Sequence, residues 1–170
     1  PFRLIDEVGG DVCQHVADDL LNRLSTKFPN SNILRKMIEL GDLGKKSGRG
    51  FYKYSGGKST GASSKVPFGA LTMIYTDDEI VDRLVLIMVN EAVRCLEEGV
   101  VESPKDVDFG MIMGTGWAPF RGGPISYLDN AGATNVVDRL QKLATTDKYF
   151  APCDMLLEYA KKDKKFYEEK

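Results

Sequence analysis

A chain of 170 residues is long enough for one ordinary domain or for two small ones. Its 23 Lys and Arg against 25 Asp and Glu leave a net charge of −2, which provides no overall attraction to nucleic acid or to an anionic membrane. The longest apolar run, residues 84–89, is far shorter than the roughly 20 residues that cross a bilayer. We therefore predict that the chain neither binds nucleic acid nor spans a membrane.

The first predicted element is a segment that occurs twice. Residues 1–9 and 124–132 share one order: proline, two variable residues, two large apolar residues, aspartate, a variable residue, a small apolar residue and glycine. Apolar residues at helical spacing follow in both copies: Val12, Val16 and Leu20 in the first, and Val136, Val137 and Leu140 in the second. This pattern predicts two tandem helical repeats.

Later landmarks keep the same order in both copies. Phe28-Pro29 precedes an apolar helical segment in the first copy, as Phe150-Ala151-Pro152 does in the second. Each copy then reaches a Phe-Tyr pair, at residues 51–52 and 166–167, and the second copy has no counterpart of the loop at residues 41–50. Because the chain starts without Met inside the repeated motif, the first repeat is expected to be truncated at its N-terminus.

The segment between the copies is rich in glycine and serine, a composition that cannot bury a core and is typical of a linker. The predicted organisation is a truncated helical repeat at residues 1–55, a linker at 56–76 and a second helical repeat at 77–170. Residues 51–54 are compatible with a short extended piece, but no sustained period-2 alternation is present. The predicted fold class is all-α.

The second repeat is predicted to begin with a long helix. Asp77-Asp78-Glu79 supplies acidic residues suited to a helix start, and apolar residues between 80 and 96 cover most of the helix circumference, as in a central buried helix. Glu97-Glu98-Gly99 ends this helix with a glycine signal. Ser103-Pro104 then opens a shorter helix, with an N-cap serine followed by proline at the first helical position.

The loop at residues 41–50 is the most conspicuous candidate for chemistry. A phosphate-binding loop is excluded by its spacing, because Lys45 is followed by Lys46 and not by Ser or Thr, and no glycine lies five residues before Gly44. A helix end followed by a tight basic turn explains the glycines better. Contact of Lys45, Lys46 and Arg49 with a cofactor phosphate remains as an alternative.

The other polar residues suggest ordinary structural roles. His15 is the single histidine and has Asp18 and Asp19 one turn further on, which predicts a solvated helix face with a charge pair. Asp6 and Asp129, at the same place in both repeats, are interpreted as caps or turn formers. Three separated cysteines without a CxxC predict reduced thiols. No catalytic, cofactor-binding or metal-binding residue is therefore predicted.

Three segments together resemble the C-terminal domain of the 3-hydroxyacyl-CoA dehydrogenase family, a helical fold of the 6-phosphogluconate-dehydrogenase-like type. They are the repeated segment at 1–9 and 124–132, the Gly-Lys-Lys-Ser-Gly-Arg-Gly-Phe-Tyr stretch at 44–52, and the helix at 81–92. Two tandem copies with the basic loop in the first alone are similar to the α-subunit of the multifunctional fatty-acid oxidation complex.

The resemblance implies the C-terminal helical region of an NAD-dependent L-3-hydroxyacyl-CoA dehydrogenase of fatty-acid β-oxidation. The family's catalytic His–Glu pair and NAD-binding Rossmann domain precede this region, so NAD is expected in the whole enzyme and no cofactor in this fragment. The family's substrate-side Asn is matched by Asp82 of an Asp82-Arg83 pair, so the second repeat is expected to pack and not to catalyse. Pro1 and Phe2 are expected to wall the acyl-CoA cleft.

The resemblance also implies partners and a compartment. The expected partners are the acyl-CoA substrate, the missing Rossmann domain and the thiolase subunit of a complex, and the expected compartment is the mitochondrial matrix in a eukaryote or the cytoplasm in a bacterium. Two alternatives stay open. One is a stand-alone helical dimerisation or partner-docking module, and the other is the helical domain of a different Rossmann dehydrogenase, such as a 3-hydroxybutyryl-CoA or hydroxy-acid enzyme.

Overall fold

The computed structural model describes residues 1–23, 32–68 and 74–167. The chain folds as two compact units, unit 1 at residues 1–74 and unit 2 at residues 75–170. The predicted Phe28-Pro29 landmark, residues 69–73 of the predicted linker and the last three residues lie outside the described part. The exact bounds 1–55, 56–76 and 77–170 stay a prediction.

Unit 1 consists of short helices followed by a hairpin. Its elements are α1 (Phe2–Val8), α2 (Gly10–Arg23), α3 (Asn32–Glu39), a 3-10 turn (Lys45–Ser47), β1 (Tyr52–Ser55) and β2 (Lys58–Ala62). Gly9, with φ of 108°, separates the first two helices, and glycine adopts such a conformation without the steric cost that a side chain carries. Helix α2 packs on α3, and the 3-10 turn packs on α1. The predicted helix after the first repeated segment is confirmed.

The hairpin lies partly within the predicted linker and adds one small two-stranded sheet to the predicted helical fold. β1 pairs antiparallel with β2 through the partners Ser55 and Lys58, so two residues join the strands. These are Gly56 and Gly57, with φ of 55° and 76°, and two-residue hairpin turns favour positive φ at both positions. Residues 58–62 of the predicted linker thus form strand β2, and the glycines that indicated flexibility form a tight turn. The linker as a boundary between two repeats stays a prediction.

Unit 2 is helical in its described part, residues 75–167. Its elements are α4 (Asp77–Glu97), α5 (Pro104–Thr115), a 3-10 turn (Pro119–Arg121), α6 (Pro124–Ala131), α7 (Ala133–Ala144), a 3-10 turn (Lys148–Phe150) and α8 (Asp154–Lys161). Helix α4 packs against the other four helices, and the core they share is aliphatic. The fully buried aliphatic side chains are Leu86, Val89, Val93, Ile125, Leu128, Val136, Leu140 and Leu156.

The predicted starts of α4 and α5 are confirmed, because α4 begins at Asp77 and α5 at Pro104. Thr76 caps α4 by accepting a hydrogen bond from the Glu79 amide at 3.2 Å, and Glu79 accepts one from the Thr76 amide at 2.9 Å, which completes a capping box. Ser103 caps α5 by accepting a hydrogen bond from the Asp106 amide at 3.3 Å, and Pro104 is the first residue of that helix. These caps satisfy amides that have no partner within the helix.

The prediction that α4 is buried on most of its circumference is only half correct. One face carries Leu86, Val89 and Val93 into the core of unit 2. The opposite face leaves Val81 and Leu84 about half exposed. The other helices of unit 2 pack on one side of α4. The hydrophobicity of the sequence does not indicate which side of a helix other helices will cover.

The described helices contain no segment that is both long and apolar enough to cross a membrane. The three cysteines are free thiols in this structure. Burial raises the pKa of the Cys153 thiol, the most deeply placed of the three, so that thiol is protonated at neutral pH.

Candidate functional site: three carboxylate anchors and an aromatic edge

The first anchor is Asp6, a carboxylate that is 2% exposed in α1. Its Oδ1 accepts a hydrogen bond from the Phe51 amide at 2.9 Å, and its Oδ2 accepts one from the Tyr52 amide at 2.8 Å. The Tyr54 hydroxyl donates a third bond to Oδ2 at 3.0 Å. Three donors compensate for removing the charge from water, and they fix the start of the hairpin against α1.

Two glycines of the 41–50 loop permit this anchor. At Gly44, with φ of 105°, a Cβ would overlap the main chain of Asp6. At Gly50 a Cβ would overlap the Asp6 carboxylate. The loop therefore needs glycine at these positions because its main chain lies directly on α1, which is a physical reason distinct from phosphate binding.

Unit 2 repeats the anchor with Asp129 of α6. This carboxylate accepts hydrogen bonds from the Phe166 and Tyr167 amides, both at 2.9 Å. Asp6 and Asp129 occupy the same place in the repeated segment, and both bind the two amides of the Phe-Tyr pair that ends their copy. The predicted tandem repeat is thus present as a duplicated contact between residues about 40 positions apart.

The interpretation of Asp6 and Asp129 as caps or turn formers was wrong. A cap or an aspartate turn joins a side chain to amides two or three residues away. The donors here are Phe51 and Tyr52 for the first carboxylate, and Phe166 and Tyr167 for the second. Both aspartates are long-range anchors, which explains their identical place in the two copies.

Asp108 of α5 is an anchor that sequence reasoning missed. It is 4% exposed and accepts hydrogen bonds from the Ile125 amide at 2.7 Å, the Ser126 amide at 3.0 Å and the Ser126 hydroxyl at 2.7 Å. At Gly123 a Cβ would overlap this carboxylate. The Gly-Gly-Pro order before α6 was the available signal, since adjacent glycines often mark a close approach of another group.

One tyrosine hydroxyl in each unit donates to an anchor carboxylate, Asp6 in unit 1 and Asp108 in unit 2. Tyr167 donates to Asp108 at 2.9 Å, as Tyr54 donates to Asp6. Burial, followed by the hydrogen bond to the carboxylate, raises the pKa of Tyr54 to about 12 and that of Tyr167 to about 12. Both hydroxyls therefore keep their proton and remain donors at neutral pH.

Pro1 and Phe2, the predicted substrate-wall residues, lie at the start of α1. Pro1 is exposed, and Phe2 is 47% exposed. The Phe2 ring packs on Phe51, with centroids 4.5 Å apart, and edge-on toward Phe68 at 6.5 Å. We call these three rings the aromatic edge. The Asp6 anchor positions the aromatic edge, because the Phe51 amide donates a hydrogen bond to the Asp6 carboxylate.

The three basic side chains of the loop are paired within unit 1. Lys45 lies 2.9 Å from a carboxylate oxygen of Glu7, and Lys46 lies 2.5 Å from Asp11. Arg49 contacts the buried Asp42 at 2.6 Å. These pairs favour the basic turn over the alternative in which Lys45, Lys46 and Arg49 contact a cofactor phosphate. They tie the turn to α1, α2 and the end of α3.

Neither His15 nor Asp82 belongs to a catalytic arrangement within the described residues. His15 is exposed, and its expected charge pair is wrong because Asp18 contacts Gln14 and Arg35 instead. Asp82 forms a two-pronged ion pair with Arg139 of α7, with one Nε–Oδ2 distance of 3.0 Å. That ion pair, with desolvation opposing it, raises the pKa of the Arg139 guanidinium.

Arg83 and Trp117 serve packing. The Arg83 guanidinium lies over the Tyr75 ring, 4.5 Å from its centroid, and 5.4 Å from that of Phe150. Trp117 packs edge-on against Tyr127 at 6.3 Å, beside the core of unit 2. Within residues 1–23, 32–68 and 74–167, no group of three or more His, Cys, Asp or Glu side chains is placed to hold a metal ion.

Comparison with known families and sequences gives a consistent match. The model of a family described as 3-hydroxyacyl-CoA dehydrogenase, C-terminal domain, matches residues 1–54 and 80–169, one stretch in each unit. The fatty acid oxidation complex subunit alpha of Vibrio vulnificus is 39% identical over 173 residues, covering 99% of this chain and 24% of its own length. Its Shewanella loihica counterpart is 38% identical over 175 residues, with the same two coverages.

Solved structures show the same fold. A 3-hydroxybutyryl-CoA dehydrogenase from Escherichia coli matches with a TM-score of 0.68 at 19% identity, over 96% of this chain and 51% of its own. The dehydrogenase part of a multifunctional enzyme from C. elegans matches with a TM-score of 0.64 at 23% identity, over 93% of this chain and 38% of its own. The chain therefore spans about a quarter of the curated relatives and up to half of these structures.

Proposed function

Because the chain belongs to the family of 3-hydroxyacyl-CoA dehydrogenase C-terminal domains, we propose that it is the C-terminal helical part of a longer NAD-dependent L-3-hydroxyacyl-CoA dehydrogenase of fatty-acid β-oxidation. The observation that carries this proposal is the carboxylate anchor, which recurs in both segments that the family model matches. The relatives are about four times as long as this chain, which leaves room in them for the reacting groups.

NAD has no holder among the described residues. Dinucleotides bind where a strand passes through a glycine-rich turn into a helix of a parallel sheet, and the sheet described here is a single antiparallel hairpin. NAD, which accepts the hydride in this reaction, would therefore be held by another part of the longer enzyme. The role of this chain is to pack and to shape the substrate cleft.

An apolar stripe on unit 1 supports a packing role. Val12, Val16 and Leu20 of α2 follow one another at four-residue spacing, and each is between 44% and 50% exposed. In unit 2 the corresponding helix, α7, lies against α4 and is joined to it by the Arg139–Asp82 pair. The stripe therefore has the composition expected of a face that receives a helix from the preceding part of the longer enzyme.

The acyl-CoA cleft is proposed to use the aromatic edge as part of its wall. Phe2 presents about half of its surface to solvent while its ring rests on Phe51. An apolar wall favours an acyl chain because covering it removes hydrocarbon surface from water. Pro1 lies beside Phe2 and would extend the same wall.

The other proposed partners follow from the relatives. The names of the curated relatives describe subunits of a complex, and a thiolase subunit would complete the oxidation of the acyl chain. The proposed compartment is the cytoplasm in a bacterium and the mitochondrial matrix in a eukaryote. The second repeat, with Asp82 engaged by Arg139, would have a packing role and not a catalytic one.

The dehydrogenase proposal is tested with two polypeptides. The longer natural polypeptide that contains this chain is expected to oxidise an L-3-hydroxyacyl-CoA with NAD⁺, followed as NADH formation. The 170-residue chain alone is expected to give no turnover above background, because none of its described residues is placed to act as a general base toward the substrate hydroxyl. Turnover by the chain alone, or none by the longer polypeptide, would contradict the proposal.

The substrate wall is tested with Phe2→Ala in the longer polypeptide. We expect KM for a long-chain substrate to rise about threefold to tenfold with kcat nearly unchanged, because a ring that only buries hydrocarbon contributes equally to ground-state and transition-state binding. Phe120→Ala is the matched control, since Phe120 is an exposed ring of unit 2 outside the aromatic edge. An unchanged KM in Phe2→Ala would remove Phe2 from the wall.

A stand-alone docking module is the second candidate, because the exposed apolar stripe would also suit a separate partner. The two candidates differ in the length of the polypeptide in the cell. Immunoblotting of the native organism with an antibody to this chain separates them. A band several times heavier than the chain's 18.8 kDa supports the dehydrogenase, and a band at that mass supports the module.

A further inference from the structure

Unit 1 contains a cavity of about 580 Å³ that the proposed function does not use. It is formed by the segment after α3, the turn at residues 47–49, strand β1 and the segment after β2. Its charged lining is Asp42, Arg49, Lys53 and Lys65, and the hydroxyl-bearing lining is Ser47 and Ser64. We call it the basic cavity. Its volume falls in the range of about 300–1,000 Å³ that is usual for small-molecule clefts.

The charges in the basic cavity do not balance. Arg49 and the buried Asp42 form an ion pair at 2.6 Å and neutralise each other. Lys53 and Lys65 take part in none of the ion pairs found between described residues. Three cations against one carboxylate leave an excess of two positive charges in one concavity.

The two lysines come from different segments. Lys53 is held in β1, opposite Gly61 of β2, and Lys65 follows the end of β2 by three residues. The hairpin therefore brings together two cations that are twelve residues apart in sequence. Because like charges repel, a cavity lined by two lysines without ion-pair partners gains stability when it binds an anion.

We propose that the basic cavity binds the phosphate group of a small molecule. A phosphate monoester or diphosphate carries close to two negative charges per terminal group at neutral pH, which matches the excess of two, whereas one carboxylate would neutralise only half of it. Lysine binds phosphate as a compact point charge, and the exposed Ser64 hydroxyl can donate a hydrogen bond. This proposal holds independently of the dehydrogenase proposal.

Direct titration tests the site. The chain is titrated calorimetrically at low ionic strength with inorganic pyrophosphate, with coenzyme A and with glutarate, a dicarboxylate. Pyrophosphate binding indicates that the phosphate group alone is sufficient, and binding of coenzyme A without pyrophosphate indicates a nucleotide-type source. Both results support the site. Binding of neither phosphorylated probe, or equal affinity for glutarate, would overturn it.

The variants assign binding to the cavity. Lys53→Ala and Lys65→Ala are each expected to weaken pyrophosphate or coenzyme A binding about fivefold, and the double variant about 25-fold, as for loss of one solvent-exposed charge contact each. Lys58→Ala is the matched control, because Lys58 lies exposed on the same hairpin but outside the cavity lining. Lys53→Arg should retain most of the affinity. Equal affinity in the double variant and the parent chain would place the anion elsewhere and refute the proposal.

Discussion

Replacing Asp6 by alanine is expected to lower the free energy of unfolding of unit 1 by about 3–5 kcal/mol, which would leave that unit largely unfolded or marginal. The substitution removes a carboxylate that accepts from the Phe51 amide, the Tyr52 amide and the Tyr54 hydroxyl. Because Phe51 is buried, at least one of these donors would lose its partner without gaining water. Urea unfolding followed by circular dichroism measures the change.

The second repeat supplies the matched comparison. Asp129→Ala removes the two equivalent amide hydrogen bonds in unit 2. Tyr167 is exposed, so its amide can donate to water instead. We therefore expect a smaller loss, of about 1–2 kcal/mol. Asp11→Ala, which removes an exposed ion pair with Lys46, should change stability by less than about 1 kcal/mol. A similar loss in all three variants would show that burial of the anchor is unimportant.

Replacing Gly44 by alanine is expected to lower the free energy of unfolding of unit 1 by about 3–4 kcal/mol. Its φ of 105° disfavours any side chain, and its Cβ would also overlap the main chain of Asp6. The overlap cannot be relieved by a rotamer change because the opposing atoms belong to the backbone. The substitution must therefore move the loop off α1 and disturb the anchor.

Gly41→Ala is the control for this effect. Gly41 also has positive φ, at 73°, but no heavy atom lies within 4 Å of the position its Cβ would take. We expect a loss of about 1–2 kcal/mol, which is the left-handed backbone cost alone. Denaturant titrations of both variants give the difference. If the two variants lost equal stability, the close approach of the loop to α1 would not be what requires glycine.

These two experiments separate two explanations of the same sequence motif. A glycine-rich basic loop suggests phosphate binding when seen alone, and the loop here carries Lys45, Lys46 and Arg49. In the structure the glycines allow contact with α1, and the three cations pair with carboxylates of unit 1. Lys53 and Lys65 of the basic cavity form no such ion pair among the described residues, and the loop motif did not include them.

The sequence by itself determined the repeat, the helix starts and the family. The acidic start at residues 77–79 and the serine-proline start at Ser103 depend on residues within one turn of each other, so their pattern is sufficient to predict them. The duplicated proline, aspartate and glycine positions are visible because a repeat is a comparison of the chain with itself. Local signals and self-similarity need no knowledge of the chain's path.

Tertiary structure alone decided what those residues contact. The Asp6 anchor joins residues 45 positions apart, and its local neighbours suggested a cap. Whether Val12 and Leu84 are covered depends on which helices reach their faces, and hydrophobicity is the same in either case. The Gly56–Gly57 turn shows the same limit, because glycine permits both a flexible linker and a tight hairpin. A side chain sets its own preferences, but the energy of a long-range contact is fixed only when the folded chain brings its partner into reach.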